Sequence, residues 1–136
     1  MTIYILDSSA LLRYIDDEAG AERVEAILED CVTWRARVCI SAMQWGEVAG
    51  RLCHRLGQKE ELRVLSALLP TEAEIISVSG ERAVRAAEMR VDRKIAYADA
   101  FALDLAMDSA EHVLVTADYG FKAVEDVARI EFLPAK

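Results

Sequence analysis

The sequence is poor in the residues that interrupt regular structure. Only two prolines and six glycines occur among 136 residues, while 54% of the residues are apolar, a composition that argues against disorder for most of the chain. No apolar run approaches the ~18 residues of a membrane-spanning helix. No basic stretch followed by an apolar one opens the chain, so no leader is expected. These absences favour one cytoplasmic domain over residues 1–136.

Cysteine and histidine are also scarce. Cys31, Cys39 and Cys53 form no Cys-x-x-Cys pair, which argues against a zinc site or a disulfide framework and favours reduced structural thiols. His54 and His112 are far apart in the chain. We expect surface or packing roles for both histidines.

Positive charge is in deficit, and the net charge of −8 argues against a general nucleic-acid-coating protein. Nine of the 16 basic residues nevertheless fall in two short segments: Arg51, Arg55, Lys59 and Arg63, then Arg82, Arg85, Arg90, Arg93 and Lys94. Either segment fits a solvated helix face with ion pairs between successive turns. A basic rim around an acidic centre is the alternative.

Short apolar strands alternate with helical patterns along the whole chain. Strands are predicted at residues 3–6, 38–40, 75–78, 112–116 and 130–133. Each intervening helical segment is long enough for the next strand to return parallel. The predicted fold is α/β, a single domain in which helices cover a parallel sheet of about five strands.

Several helix boundaries carry local signals. Ser8 and Ser9 are good helix N-caps, and Ser41 with Gln44 three residues later matches a capping box. Gly57 is expected to end the helix that Ser41 begins. Further helices are predicted over residues 96–110 and, more briefly, over residues 122–126.

Four acids occupy special positions in this arrangement. Asp7 and Asp118 each follow a buried strand, Glu47 lies in the second turn of the helix after the second strand, and Asp99 lies in the first turn of the predicted 96–110 helix. Each position has a local structural explanation. Asp7 and Asp118 can cap the helices that follow, Asp99 suits a helix N-terminus, and Glu47 can pair with Arg51. Their joint placement at one edge of the sheet is not explained in that way.

Carboxylates gathered at one edge repel each other, and a divalent cation relieves that repulsion. An all-carboxylate oxygen set suits Mg²⁺ or Mn²⁺ better than zinc. Such a cation activates water and neutralises charge on a phosphate. Phosphodiester hydrolysis is therefore the reaction class that this pattern favours, and Thr116, two residues before Asp118, could orient a ligand or a water molecule.

Four segments together resemble a PIN-domain ribonuclease, and within that group the VapC-type toxins of toxin–antitoxin pairs. They are Asp7-Ser8-Ser9 after the first strand, Ser41-Ala42 with Glu47 following, Tyr97-Ala98-Asp99-Ala100, and the stretch from Leu114 to Phe121. The resemblance implies a metal-dependent endoribonuclease with Asp7, Glu47, Asp99 and Asp118 as its catalytic acids. It implies that Asp7, Asp99 and Asp118 bind Mg²⁺ or Mn²⁺, while Glu47 holds a second metal or positions the attacking water. It also implies an RNA substrate, a cognate antitoxin and a homodimer.

One departure and two rival interpretations accompany this resemblance. Asp104 adds an acid where relatives often have a small apolar residue; five residues from Asp99, it should lie on another face of the helix and be peripheral. A catalytically silent PIN-like binding module is one rival. A receiver domain that accepts a phosphoryl group is the other, but Ser8 and Ser9 stand where it needs adjacent acids.

Two surfaces are expected to meet other molecules. If Arg82, Arg85, Arg93 and Lys94 lie beside the site, they would hold RNA phosphates. Several helices also carry more large apolar side chains than the sheet obviously needs, and part of that surface could capture an amphipathic antitoxin helix. Its members are Tyr14, Trp34, Trp45, Leu62, Leu65 and Leu69.

Overall fold

Five parallel strands form one sheet in the order β3-β2-β1-β4-β5 in the computed structural model, which describes residues 1–136. The strands are β1 (Ile3–Leu6), β2 (Arg37–Ser41), β3 (Glu74–Ile76), β4 (His112–Thr116) and β5 (Arg129–Phe132). Every pair of neighbouring strands is parallel. The predicted single α/β domain with a five-stranded parallel sheet is therefore confirmed.

Six α-helices and one 3₁₀ helix connect and cover the strands. The α-helices are α1 (Ser8–Ile15), α2 (Ala21–Val32), α3 (Ala42–Leu56), α4 (Gln58–Leu68), α5 (Gly80–Arg93) and α6 (Tyr97–Ala106), and the 3₁₀ helix spans Tyr119–Val124. No helix combines the length and the apolar character needed to cross a membrane.

The two faces of the sheet bury separate apolar clusters, because successive side chains of a strand point to opposite faces. Leu6 and Val115 pack into the cluster that includes residues of α1, α2 and α3. Their chain neighbours Ile5 and Leu114 pack into the second cluster, with α6 and the 3₁₀ helix. Helices on both faces thus hold the sheet, as its near-continuous apolar strands predict.

Several predicted boundaries differ from those of the structure. Helix α6 ends at Ala106 rather than at residue 110, because a turn follows in which the backbone N–H of His112 donates to the carbonyl of Ser109 at 3.1 Å. The predicted helix over 122–126 is a 3₁₀ helix that begins directly after Asp118. Gly57 does end α3, with a positive φ of 87° that favours glycine.

The serine caps suggested for α1 and the capping box suggested for α3 differ from the structure, whereas the capping roles suggested for Asp7 and Ser41 are confirmed. Asp7, rather than Ser8 or Ser9, is the N-cap of α1, and its Oδ1 accepts from the backbone N–H of Ala10 at 2.9 Å. Ser41 caps α3 by accepting from the N–H of Met43, but Gln44 does not complete a capping box. The Gln44 amide is fully buried instead and binds two other parts of the chain.

Candidate active site

The carboxyl edge of the sheet brings together residues from distant parts of the chain. Leu6 of β1 lies beside Val115 of β4, so the residues that follow these strands emerge as neighbours. A cleft of about 720 Å³ opens at this edge, and Leu12 is the one apolar residue in its lining. The four predicted acids all line it: Asp7, Glu47, Asp99 and Asp118.

Asp7 lies at the base of the cleft and is only 2% exposed. Its Oδ1 accepts from the Ser9 hydroxyl at 2.7 Å as well as from the Ala10 N–H, and its Oδ2 accepts from the Thr116 hydroxyl at 2.5 Å. No cationic side chain pairs with it. The carboxylate is thus oriented by neutral donors, which leaves its negative charge uncompensated.

Ser9 and Thr116 are themselves fixed by the backbone that follows β4. The Ser9 hydroxyl oxygen accepts from the N–H of Ala117, and the Thr116 hydroxyl oxygen accepts from the N–H of Asp118, both at 2.9 Å. The two hydroxyl oxygens are 3.2 Å apart. Thr116 is fully buried. Its hydroxyl orients Asp7 and the Asp118 backbone instead of the ligand or water molecule that the sequence suggested.

The other acids stand around Asp7 with different degrees of exposure. Asp118 is exposed, and its Oδ1 accepts from the N–H of Gly120 at 2.8 Å, so it caps the 3₁₀ helix as well as lining the cleft. Glu47 is exposed on α3 and accepts from the Ser8 hydroxyl at 3.2 Å. The alternative pairing of Glu47 with Arg51 is not formed. Asp99 is half-buried in the first turn of α6.

Two of these acids hold their protons more tightly than ordinary carboxyls do. Burial raises the pKa of Asp7 to about 6, against the lowering effect of the hydrogen bonds from Thr116 and Ala10. Burial is also the largest cause that raises the pKa of Asp99 to about 7. Repulsion from the other three acids of the cleft adds to that shift. The cleft therefore concentrates negative charge with no internal counterion beside Asp7.

The donor set of the cleft suits a hard divalent cation. Its acids supply carboxylate oxygens alone, the ligands that Mg²⁺ and Mn²⁺ prefer, and a bound cation would relieve the repulsion that raises the pKa of Asp99. As they stand in the structure, these side chains form no group of three or more that could hold a metal ion.

The basic residues near the cleft differ from those that the sequence suggested. Arg82 and Arg85 bind Asp104 at 2.8 and 2.7 Å, and Arg93 binds Asp126 at 2.8 Å. None of them lines the cleft, and neither does Lys94. The condition under which these four residues would hold RNA phosphates beside the acids is therefore not met, and the interpretation of this segment as a helix face with ion pairs fits the structure better.

Other basic side chains surround the cleft instead: Arg13, Arg51, His54, Arg55 and Lys136. Arg55 pairs with Asp16 at 2.8 Å and Lys136 with Glu18 at 2.6 Å. Arg51 lies one turn beyond Glu47 on α3 and forms no ion pair. His54, expected to be a surface or packing residue, lies at the cleft wall.

Asp104 lies away from the cleft, as predicted for a peripheral acid, but it is only 7% exposed. Two arginines of α5 neutralise it there. The cysteines are all free, as expected, with Cys31 and Cys39 buried; Cys53 is exposed.

The fold and the site together define a class of protein. Its members are α/β domains in which acidic side chains converge on one cleft at the carboxyl edge of a parallel sheet. Residues 4–127 match the PIN domain family, and the chain belongs to that family. Curated proteins give no significant match to the sequence.

Solved structures with a similar fold come from several bacteria. VapBC2 of Rickettsia felis, solved with a DNA fragment of its promoter, aligns with a TM-score of 0.74 at 18% identity, over 98% of this chain and 100% of that chain. DNA-bound VapBC of Salmonella typhimurium gives 0.73 at 18% identity, over 97% and 98%. VapC20 of Mycobacterium tuberculosis, described as a toxin that cleaves the sarcin–ricin loop, gives 0.72 at 19% identity, over 96% and 99%.

Three residues that shape the cleft were not recognised as such from the sequence. Ser9 was assigned to a helix cap, and Gln44 to a capping box. Arg51 was one of a row of basic residues with no feature to distinguish it. A helix cap is a local pattern, whereas Gln44 and Ser9 form hydrogen bonds across 36 and 108 positions of sequence, so no short-range signal identifies those two.

Proposed function

We propose that this protein is a Mg²⁺- or Mn²⁺-dependent endoribonuclease that hydrolyses RNA phosphodiester bonds in the cytoplasm, as the toxin of a toxin–antitoxin pair. The observation that supports this most directly is the convergence of Asp7, Glu47, Asp99 and Asp118 on one polar cleft of a PIN-domain chain. The similar fold of VapC20, described as a toxin that cleaves the sarcin–ricin loop, points the same way.

Asp7, Asp99 and Asp118 are the residues that would hold the cation. When bound, the cation lowers the pKa of a water molecule and offsets the charge that develops on the phosphate. Thr116 and Ser9 keep the Asp7 carboxylate in one orientation. Glu47, exposed on the α3 wall, would position the attacking water or hold a second cation. Arg51 would contact a phosphate of the RNA.

The metal requirement gives the first prediction. The purified protein, freed of any partner, is expected to cleave structured RNA with Mg²⁺ or Mn²⁺ and to stop when EDTA is added. Ca²⁺ should substitute poorly because it is larger and takes a looser geometry. Product formation is followed on denaturing gels.

Asp92→Asn is the matched control, since Asp92 is an exposed acid of α5 that does not line the acidic cleft; it should cleave like the unaltered protein. Cleavage that persists undiminished in excess EDTA would contradict the metal mechanism. Metal-dependent binding of RNA without any cleavage would instead favour a catalytically silent PIN-like module.

A partner protein is the second part of the proposal. Of the apolar set named from the sequence, Trp34 is 65% exposed and Leu62 is 59% exposed. The other four, Tyr14, Trp45, Leu65 and Leu69, are partly buried against the core. Several structures of similar fold are toxin–antitoxin complexes, which supports a cognate antitoxin for this chain. A homodimer of the toxin is a further part of the proposal.

The toxin role predicts that expression of this protein alone arrests growth and that Asp7→Asn relieves the arrest. Co-expression with the adjacent gene should restore growth and yield a complex that co-purifies. Normal growth at high levels of intact, unpartnered protein would argue against a toxin.

A further inference from the structure

Gln44 is a polar side chain that is fully buried. It lies in the first turn of α3, where the sequence pattern assigned it to the cap of its own helix. Its side chain turns inward instead, and both ends of its amide are satisfied by other elements.

The two hydrogen bonds of this amide join the starts of two helices. Gln44 Oε1 accepts from the backbone N–H of Ser8 at 2.7 Å, and its Nε2 donates to the backbone carbonyl of Ala98 at 2.6 Å. The Ser8 N–H can only donate and the Ala98 carbonyl can only accept, so the orientation of the amide is fixed by its partners.

Each partner is the chain neighbour of an acid of the cleft. Ser8 follows Asp7 directly, and Ala98 precedes Asp99 directly. Glu47 lies one turn further along the helix that carries Gln44 itself. One side chain therefore links the three elements that supply three of the four acids.

A neutral amide is well suited to this position. The acids repel each other, so the elements that carry them need a tie that survives the repulsion. A lysine or arginine has no acceptor for the Ser8 N–H. It could hold the elements together only by bridging the carboxylates, and would then neutralise the charge that is to attract a cation, as the arginines beside Asp104 do. The Gln44 amide joins the backbones and leaves the carboxylates free.

We propose that Gln44 is a positioning residue that sets the spacing of Asp7, Glu47 and Asp99 for the divalent cation. This inference rests on the proposed function, because it assumes that these acids bind a cation. Gln44 touches neither the cation nor the RNA; it acts through the backbone on either side of it.

The test measures the affinity for Mn²⁺ by titration calorimetry, beside the thermal stability of each variant. Gln44→Met keeps the length of the side chain and removes both hydrogen bonds. Its dissociation constant for Mn²⁺ is expected to rise by about 10- to 100-fold, the usual effect of losing a group that orients metal ligands. Faster hydrogen exchange of the Ser8 amide would verify that the tie is broken.

Leu52→Ala is the matched control, because Leu52 is a fully buried residue of the same helix that lies away from the cleft. It should lower the melting temperature at least as much as Gln44→Met and leave the Mn²⁺ affinity within about twofold. A loss of affinity in Leu52→Ala equal to that in Gln44→Met would overturn the inference, because affinity would then follow stability in general.

A second pair of variants tests the link without altering the core. Ser8→Pro removes the N–H donor at the first position of α1, where proline is favoured, and the extended backbone of Asp7 is compatible with a following proline. Ser8→Ala removes the hydroxyl alone. Ser8→Pro should bind Mn²⁺ several-fold more weakly than Ser8→Ala.

The failure of this inference differs from the failure of the proposed function. Unchanged Mn²⁺ affinity in both Gln44→Met and Ser8→Pro overturns the positioning role while the metal site stands. If the unaltered protein and Asp99→Asn bind Mn²⁺ equally weakly, the metal site itself is wrong, and the role of Gln44 falls with it.

Discussion

Two buried aspartates of this protein are handled in opposite ways. Asp104, 7% exposed, is bound by the guanidinium groups of Arg82 and Arg85. Asp7, 2% exposed, is bound by two hydroxyls and one backbone N–H, with no cation near it. The arginines neutralise the charge of Asp104 and so join α5 to α6. The neutral donors orient Asp7 without neutralising its charge.

This difference supports the proposal that Asp7 has a functional role beyond capping α1. A buried carboxylate is costly unless it is paired, and the capping bond of Asp7 is made to a neutral donor. The raised pKa of Asp7 is the mark of that cost. Perturbed pKa values of this kind cluster at functional sites.

The largest effect expected from this comparison is on catalysis. Asp7→Asn should lower the rate of RNA cleavage by about a thousandfold, the upper end of what the loss of one preorganised electrostatic group costs. Asp99→Asn should have a similar effect. Single-turnover cleavage with Mg²⁺ measures both.

Asp104→Asn serves as the contrasting variant. It should destabilise the protein by about 2 kcal/mol, since it leaves Arg85 without its carboxylate partner and Arg82 with Asp108 alone, yet cleave at the normal rate while folded. If Asp104→Asn lost activity without losing stability, or Asp7→Asn unfolded, the division between the two acids would be wrong.

An intermediate effect is expected on stability as a function of pH. Because the folded-state pKa of Asp7 is raised from 3.8 to about 6, the folded protein holds this proton more tightly than the unfolded chain does. The stability that protonated Asp7 contributes is fully present below pH 4 and is lost as the pH rises through 6. The shift corresponds to about 3 kcal/mol at 1.36 kcal/mol per pKa unit.

Urea unfolding of the metal-free protein measures this effect. Asp7→Asn should gain about that amount relative to the unaltered protein between pH 4 and pH 7. The raised pKa of Asp99 makes the stability of both proteins fall as the pH rises and does not create this difference. At pH 7, saturating Mn²⁺ should make the unaltered protein more stable than Asp7→Asn, because the ion binds the folded protein with its site ionised. A difference that stays constant with pH would show that Asp7 is compensated after all.

The smallest effect concerns Arg51, which lines the cleft and forms no ion pair. Arg51→Ala should weaken RNA binding by about 1 kcal/mol and lower the slope of log affinity against log salt by about 1, the signature of one lost phosphate contact. Arg35→Ala is the control, because Arg35 is exposed just before β2, at the opposite edge of the sheet. Equal salt slopes for the two variants would return Arg51 to the role of a solvated residue.

The places of Asp7 and Asp118 at the cleft could be predicted from the sequence because they depend on the sheet alone. Asp7 and Asp118 follow recognisable strands, and parallel strands end at one edge. Gln44 could not be predicted, since a residue three positions after Ser41 satisfies a local capping pattern while its actual partners lie 36 and 54 positions away. The pairing of Arg82 with Asp104 could not be predicted for the same reason, because Asp104 is 22 positions further along the chain.

The pairing of β1 with β4 has a consequence for the time at which the cleft exists during synthesis. Asp7 and Thr116 are 109 positions apart, so a ribosome adding about 5–20 residues per second needs roughly 5 to 20 seconds to make the second after the first. Strands β1 and β2 can pair in that interval, but Asp7 lacks the hydroxyl that orients it. A nascent chain therefore carries Asp7 without its orienting partner until Thr116 has been made, and the proposed cation site is complete only after that.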